Sequence, residues 1–245
     1  MESKTDLKSV AVIALFILLA VVSFTKIAPW AADPANHRHS IEQTQEKIGS
    51  VMTLSGGAAA TSATLSLLPG DIATPLAEQL AELATYFLLI LSALYLEKFL
   101  IIISAYITFS VLVPIACLLQ CAAVLFKKKA FTVIAGKIAL MGLVIFLIVP
   151  ASVLLSDLVY QTQADKVNET IEEYNELEIE GDAKSGIFSE FTSITNSTIE
   201  RISSFLGNLL ESLAVMIVTA CIIPILVFVL LAWLIKVVFL PPDRS

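Results

Sequence analysis

The sequence predicts an all-α integral membrane protein: four transmembrane helices in up-down order, carrying helical extensions on the extracytoplasmic side. Three observations lead there. Residues 83–129 form an apolar stretch, broken by charge only at Glu97 and Lys98, that stops at Lys127, Lys128 and Lys129. Of the 245 residues, 57% are hydrophobic, more than a soluble core uses. Acidic residues gather between Asp157 and Glu211, whereas the lysine cluster sits in a short loop, which is how the positive-inside rule marks a cytoplasmic turn.

The length of the apolar stretch decides its form. A hydrocarbon core about 30 Å thick takes roughly 20 helical residues, so counting back from Lys127 fills the bilayer by Tyr106. The surplus implies either a double crossing with a turn near Glu97 or one helix that projects beyond the membrane. Leu96 to Phe99 holds no Gly, Pro, Asn or Asp to make a tight turn. A single long helix is therefore expected. Its apolar outer part, Tyr86 to Leu96, then needs cover from the first-loop helix, the returning helix or a neighbouring subunit, because apolar surface of that extent is unfavourable in water.

Taken in order, residues 1–29 read as an N-terminal transmembrane helix with its start inside and Trp30 at the far interface. The run Val10 to Phe24 is also of signal-peptide length. The only small-residue cleavage candidate, Ala31 to Ala32, follows the bulky Trp30, which favours an uncleaved anchor. Residues 30–82 form a first extracytoplasmic loop with amphipathic helices. Within it Ser40 and Gln43 fit a capping box, and Ile41, Ile48 and Met52 suggest a helix over 40–53. The small-residue run from Ser55 to Asp71, closed by Pro69 and Gly70, reads as a close-packed connection, with a re-entrant pore-lining segment as the sharper alternative. Thr74 as N-cap with Pro75 after it starts the long helix, and Leu76, Leu80, Leu83 and Phe87 lay a stripe on one face. Residues 83–129 are the second membrane helix and 130–156 the third. Residues 157–211 form an acidic helical hairpin in which the third helix continues through Val167, Ile171, Tyr174 and Leu177, turns at Glu180 to Gly186, and returns along Phe191, Ile194, Ile199, Ile202, Phe205 and Leu209. Residues 212–245 are the fourth transmembrane helix with a short cytoplasmic tail ending in Pro241, Pro242 and Arg244. A weak repeat pairs Glu97 and Pro114 with Glu211 and Pro224, although any two membrane hairpins share such features.

Few residues are candidates for chemistry. Glu97, Lys98 and Gln120 are the candidate functional polar residues of the long helix; the first two point about 100° apart and so do not face each other, and the amide of Gln120 is expected to bond another helix. Pro114, Pro150 and Pro224 interrupt three spans and are candidate hinges. Asp33, His37, His39 and Glu42 include a His-x-His pair, but without a second cluster they fit a wet interfacial loop better than a metal site. Cys117, Cys121 and Cys221 all lie in apolar spans, so no disulfide framework is implied. Asn168 and Asn196 head glycosylation sequons. No phosphate loop, nucleophile elbow or zinc-protease motif occurs, and no cofactor or metal is implied.

These features favour a non-enzymatic protein, an oligomeric channel-like or scaffold assembly in the cell membrane, with both termini cytoplasmic. Its expected partners are the lipid bilayer and further copies of itself, with a protein partner at the acidic hairpin and no nucleic acid. The rivals are a sensor or adaptor acting through that hairpin, and an intramembrane enzyme using Glu97, His37 or His39.

Overall fold

A computed structural model describes residues 2–67, 73–176 and 196–239. Among these residues the chain forms six continuous helices. The first joins α1 (Glu2–Val22) to α2 (Ala28–Ala31) through a π-helical turn, π1 (Ser23–Ile27). Next comes α3 (Arg38–Ser66). The third joins α4 (Ala73–Ile107) to α5 (Val113–Phe126) through π2 (Thr108–Leu112). Then follow α6 (Lys129–Gln161) and α7 (Ala164–Glu176). The last joins α8 (Asn196–Ile217) to α9 (Ile223–Phe239) through π3 (Val218–Ile222). Four stretches are long and apolar enough to cross a membrane: Ser9–Ala31, Ala73–Phe126, Lys129–Gln161 and Ile199–Lys236.

The long apolar stretch is one helix of 54 residues, with no turn at Leu96 to Phe99. It ends where expected, at Lys127, whose left-handed backbone (φ 51°) stops α5 and leads directly into α6. That conformation crowds a β-carbon against the following carbonyl, so the reversal is tight.

The chain divides into two compact units: residues 1–42, 97–153 and 225–245, and residues 43–96 and 154–224. In the first, α1 packs along α5. The Ser23 hydroxyl donates to the Phe109 carbonyl at 2.7 Å, and the Cys121 thiol lies 3.8 Å from the Ile13 carbonyl, an antiparallel register. Thr108 donates to the Gly142 carbonyl at 3.1 Å, and Gly142 admits this approach because a β-carbon there would sit 3.3 Å from Leu112. Phe109 and Phe146 close the same contact edge to face at 5.1 Å. Among the described residues this unit exposes many apolar side chains, Leu15, Leu18, Leu118, Leu125, Leu226 and Phe228 among them.

The second unit has a core of its own, built from α3, the first half of α4, the end of α6, α7 and α8. Val51, Leu54, Leu80, Phe87, Ile90, Val167, Phe205, Leu209 and Met216 are essentially inaccessible. α3 and α4 run antiparallel, since Ser55 donates to the Ala84 carbonyl at 3.2 Å and Ser62, seven residues on, to the Ala77 carbonyl at 2.7 Å. Only small side chains allow hydroxyls to reach a neighbouring backbone in this way. The α7–α8 seam contains Val167, Tyr174, Ile202 and Phe205 as the spacing implied, with Tyr174 and Phe205 stacked at 6.1 Å. Its centre is polar: Thr170 is buried and shares a hydrogen bond with Ser212 at 2.8 Å.

Several expectations need correcting. The helix expected over 40–53 runs instead from Arg38 to Ser66, taking in most of the small-residue run. Hydroxyls of Thr61, Thr64 and Ser66 bond back to carbonyls one turn earlier, and the flat ring of Tyr174 lies against Gly57, so the small residues serve helix packing rather than a connection. Ser40 lies inside this helix, which begins at Arg38; Asp33 caps the 3-10 turn that precedes it, accepting from the Ala35 amide at 2.9 Å. Met52 is exposed, and the buried face passes through Thr44, Lys47, Ile48, Val51 and Leu54 instead. The extension of the third span breaks at Thr162 and Gln163, where the Thr162 hydroxyl takes the Val159 carbonyl at 2.7 Å in competition with the helix. α4 covers only half of its apolar segment. Phe87, Ile90 and Leu94 are buried, whereas Tyr86, Leu88, Leu89, Tyr95 and Leu96 face outward, Leu89 with 65% of its surface exposed. Pro69 and Gly70, Leu177, the turn Glu180 to Gly186, Phe191, Ile194 and the tail prolines lie outside the described residues.

Candidate functional site

The residues singled out by the sequence are spread over several helices. Glu97 is buried and Lys98 half-buried at successive positions of α4. Gln120 is half-buried, and among the described residues no hydrogen bond links it to a neighbouring helix. Asp33 caps its turn, His37 Nε2 lies 2.6 Å from the Ala31 carbonyl, and Glu42 pairs with Arg38 on the surface at 3.7 Å. Among the described residues no group of three or more His, Cys, Asp or Glu could hold a metal ion. Among the described residues Cys117, Cys121 and Cys221 form no disulfide.

The prolines carry more. π1, π2 and π3 each end two residues before a proline: Pro29, Pro114 and Pro224. In each, the amide just before the proline donates to the carbonyl five residues back: Ala28 to Ser23, Val113 to Thr108, Ile223 to Val218. The cause lies in the proline ring, which has no N–H and clashes with the carbonyl four residues earlier; widening the preceding turn relieves the clash. The next carbonyl in that wide register would look to the proline for its donor and finds none. At π2 this is Phe109, at π3 Thr219, and both accept a serine hydroxyl from another helix: Ser23 at 2.7 Å and Ser156 at 2.6 Å. Pro150 lies inside regular α-helix. Because π1 shares the offset, the match between Pro114 and Pro224 follows from proline geometry and needs no duplication. The acidic half of that repeat differs in setting, Glu97 being buried and Glu211 half-exposed beside Lys166 at 3.9 Å.

The Thr219 carbonyl is also the end of a buried polar chain within the second unit. Lys47 of α3 has 1% of its surface exposed, and its ammonium donates to Ser156 Oγ at 2.8 Å while lying 5.5 Å from the centre of the Tyr160 ring. An ammonium has only donors and a hydroxyl only one proton. Ser156 therefore accepts from Lys47, and its proton is committed to Thr219. One turn from Lys47, the Gln43 amide donates to Asp157 Oδ2 at 2.6 Å, while Asp157 Oδ1 accepts no hydrogen bond among the described residues. Ser50 and the hydroxyl of buried Tyr160 lie 3.1 Å apart. Burying a cation is costly unless its protons are met; the hydroxyl and the ring face supply part of that compensation.

The arrangement runs from a buried ammonium through a hydroxyl to a main-chain carbonyl. The Lys47 nitrogen is walled from solvent, and its bond to Ser156 leads on to a main-chain carbonyl. None of its members stood out from sequence, apart from Gln43, placed in a cap, and Asp157, placed at a helix exit. A signal was nevertheless present: extending the register of Val51 and Leu54 backward by fours and threes puts Lys47 on the buried face, where a solvated lysine does not belong. No family model, curated protein or solved structure matches this chain.

Proposed function

We propose that the protein is a non-enzymatic, multi-pass membrane protein that assembles with copies of itself, as a scaffold or channel-like oligomer. One observation supports this reading: the outward stripe of α4, through Leu88, Leu89, Tyr95 and Leu96, is apolar and left uncovered among the described residues. Lipid is a poor occupant. Twenty residues back from the lysine cluster reach only Tyr106, and the stripe begins ten residues beyond. The first unit's register points the same way. Ser23 pairs with Phe109 and Cys121 with Ile13, so the interfacial Trp30 falls opposite residues 102–104. Further up α4, Glu78, Glu82 and Thr85 line the same exposed side and suit water. Apolar surface between those levels is best covered by a second copy, which the membrane holds in the same orientation.

Native mass spectrometry of the protein released from lipid nanodiscs tests this. The wild type is expected as a multimer and Leu89→Glu as a monomer with unchanged helix content. A monomeric wild type, with conductance or partner binding unaffected by Leu89→Glu, would instead favour an adaptor acting through the acidic faces of α7 and α8.

A further inference from the structure

We infer that Lys47 and Ser156 form a latch on a hinge at Pro224, so that the placement of α3 governs the bend of the fourth long helix. This goes beyond self-assembly and does not depend on it. The hinge is the π3 segment, where proline removes a donor and the carbonyl of Thr219 is left to a side chain. A helix with such a gap has two arrangements close in energy, one with the wide turn held and one with it relaxed, because a single hydrogen bond from outside the helix decides between them.

The latch is unlike an ordinary serine contact in one respect. Ser23 makes the equivalent bond at π2, 2.7 Å to the Phe109 carbonyl, and among the described residues no lysine bonds its hydroxyl. At π3 the hydroxyl has its rotor fixed from behind by the Lys47 ammonium, 2.8 Å away. Lys47 rides on α3 together with Gln43, which grips the adjacent Asp157 on α6. A displacement of α3 that carries Lys47 away therefore frees the Ser156 proton to turn from Thr219, and the hinge loses its donor. Lys47 is thus a positioning residue, acting on the backbone of one helix through a hydroxyl on another.

The test is double electron–electron resonance on protein in nanodiscs, spin-labelled at the exposed Leu210 and Phe228 on either side of the hinge, with the three native cysteines replaced by alanine. The wild type is expected to give a single narrow distance distribution. Ser156→Ala should raise the second, open population about tenfold, the effect of one hydrogen bond of typical worth, and Ser156→Thr should restore the narrow distribution. Lys47→Met should act in the same direction, and the double variant should be no more open than Ser156→Ala alone. Pro224→Ala returns a backbone donor to the helix, so in that background Ser156→Ala should have no effect; this arm decides the matter even if Lys47→Met fails to fold. A distribution unchanged by Ser156→Ala, or an effect of Ser156→Ala that persists with Pro224→Ala, would overturn the latch. Additive effects of Lys47→Met and Ser156→Ala would overturn the role of Lys47.

Discussion

Two adjacent glycines in α3 should respond to the same substitution with opposite signs. Alanine is preferred over glycine inside a helix by about 1 kcal/mol, through lost backbone freedom in the unfolded chain. At Gly56 an added β-carbon meets nothing within 4 Å, so Gly56→Ala should stabilise by about that amount. At Gly57 the same carbon would lie 3.0 Å from Cδ2 and Cγ of Tyr174 and 3.2 Å from Cε2. That ring has little room to withdraw, being buried and stacked on Phe205. Overpacking of this kind costs about 1–3 kcal/mol, which leaves Gly57→Ala neutral to destabilising by about 2 kcal/mol once the helix gain is subtracted. Thermal unfolding of the purified protein in one detergent, followed by helical circular dichroism, should move the midpoint upward for Gly56→Ala and leave it unchanged or lower it for Gly57→Ala. Adding Tyr174→Leu should relieve the second variant. Equal stabilisation by both substitutions would mean that Tyr174 does not lie against α3, and the account of why small residues run through this helix would fail.

Other consequences follow from the same packing. Ile171→Asp places a charge on a half-buried position beside the second unit's core, and should destabilise by about 2–3 kcal/mol in the same melting assay. Glu173→Ala removes only the acceptor of a 2.7 Å bond from Asn208 and should cost about 1 kcal/mol; comparable losses from both would argue against a packed seam. Single cysteines at Gly56 and Lys128 should react with a membrane-impermeant maleimide from opposite sides of the membrane, and labelling of both from one side would exclude the four-span arrangement.

The long helices were legible because their signals are statements about solvent. Residues 83–126 carry too many apolar side chains for anything but a helix in lipid or under cover, and Leu96 to Phe99 lack the chemistry of a turn. What escaped notice depends on pairing across helices. The small-residue run looked like a connection because glycine lowers helix propensity, yet Gly57 earns its place through Tyr174, more than a hundred positions away. Lys47 drew no attention because a lysine on a helix is usually solvated. The candidate hinges Pro114, Pro150 and Pro224 were visible one by one, but not that a π turn precedes Pro114 and Pro224 and not Pro150, nor that Pro29 belongs with Pro114 and Pro224. The missing N–H favours such a turn without dictating it, as Pro150 shows; which hydroxyl fills the gap is a matter of tertiary neighbours.

The central claim, that the outward stripe of α4 is covered by a second copy of the chain, is tested most directly by site-specific photo-crosslinking in proteoliposomes. With benzoylphenylalanine placed singly from position 85 to 96, covalent dimers should form from 88, 89, 92, 95 and 96, positions on the exposed face, and not from 87, 90 or 94, whose side chains are buried in the core. Adducts to lipid throughout the exposed set, with no dimer at any position, would show that the stripe faces the bilayer and would contradict the assembly.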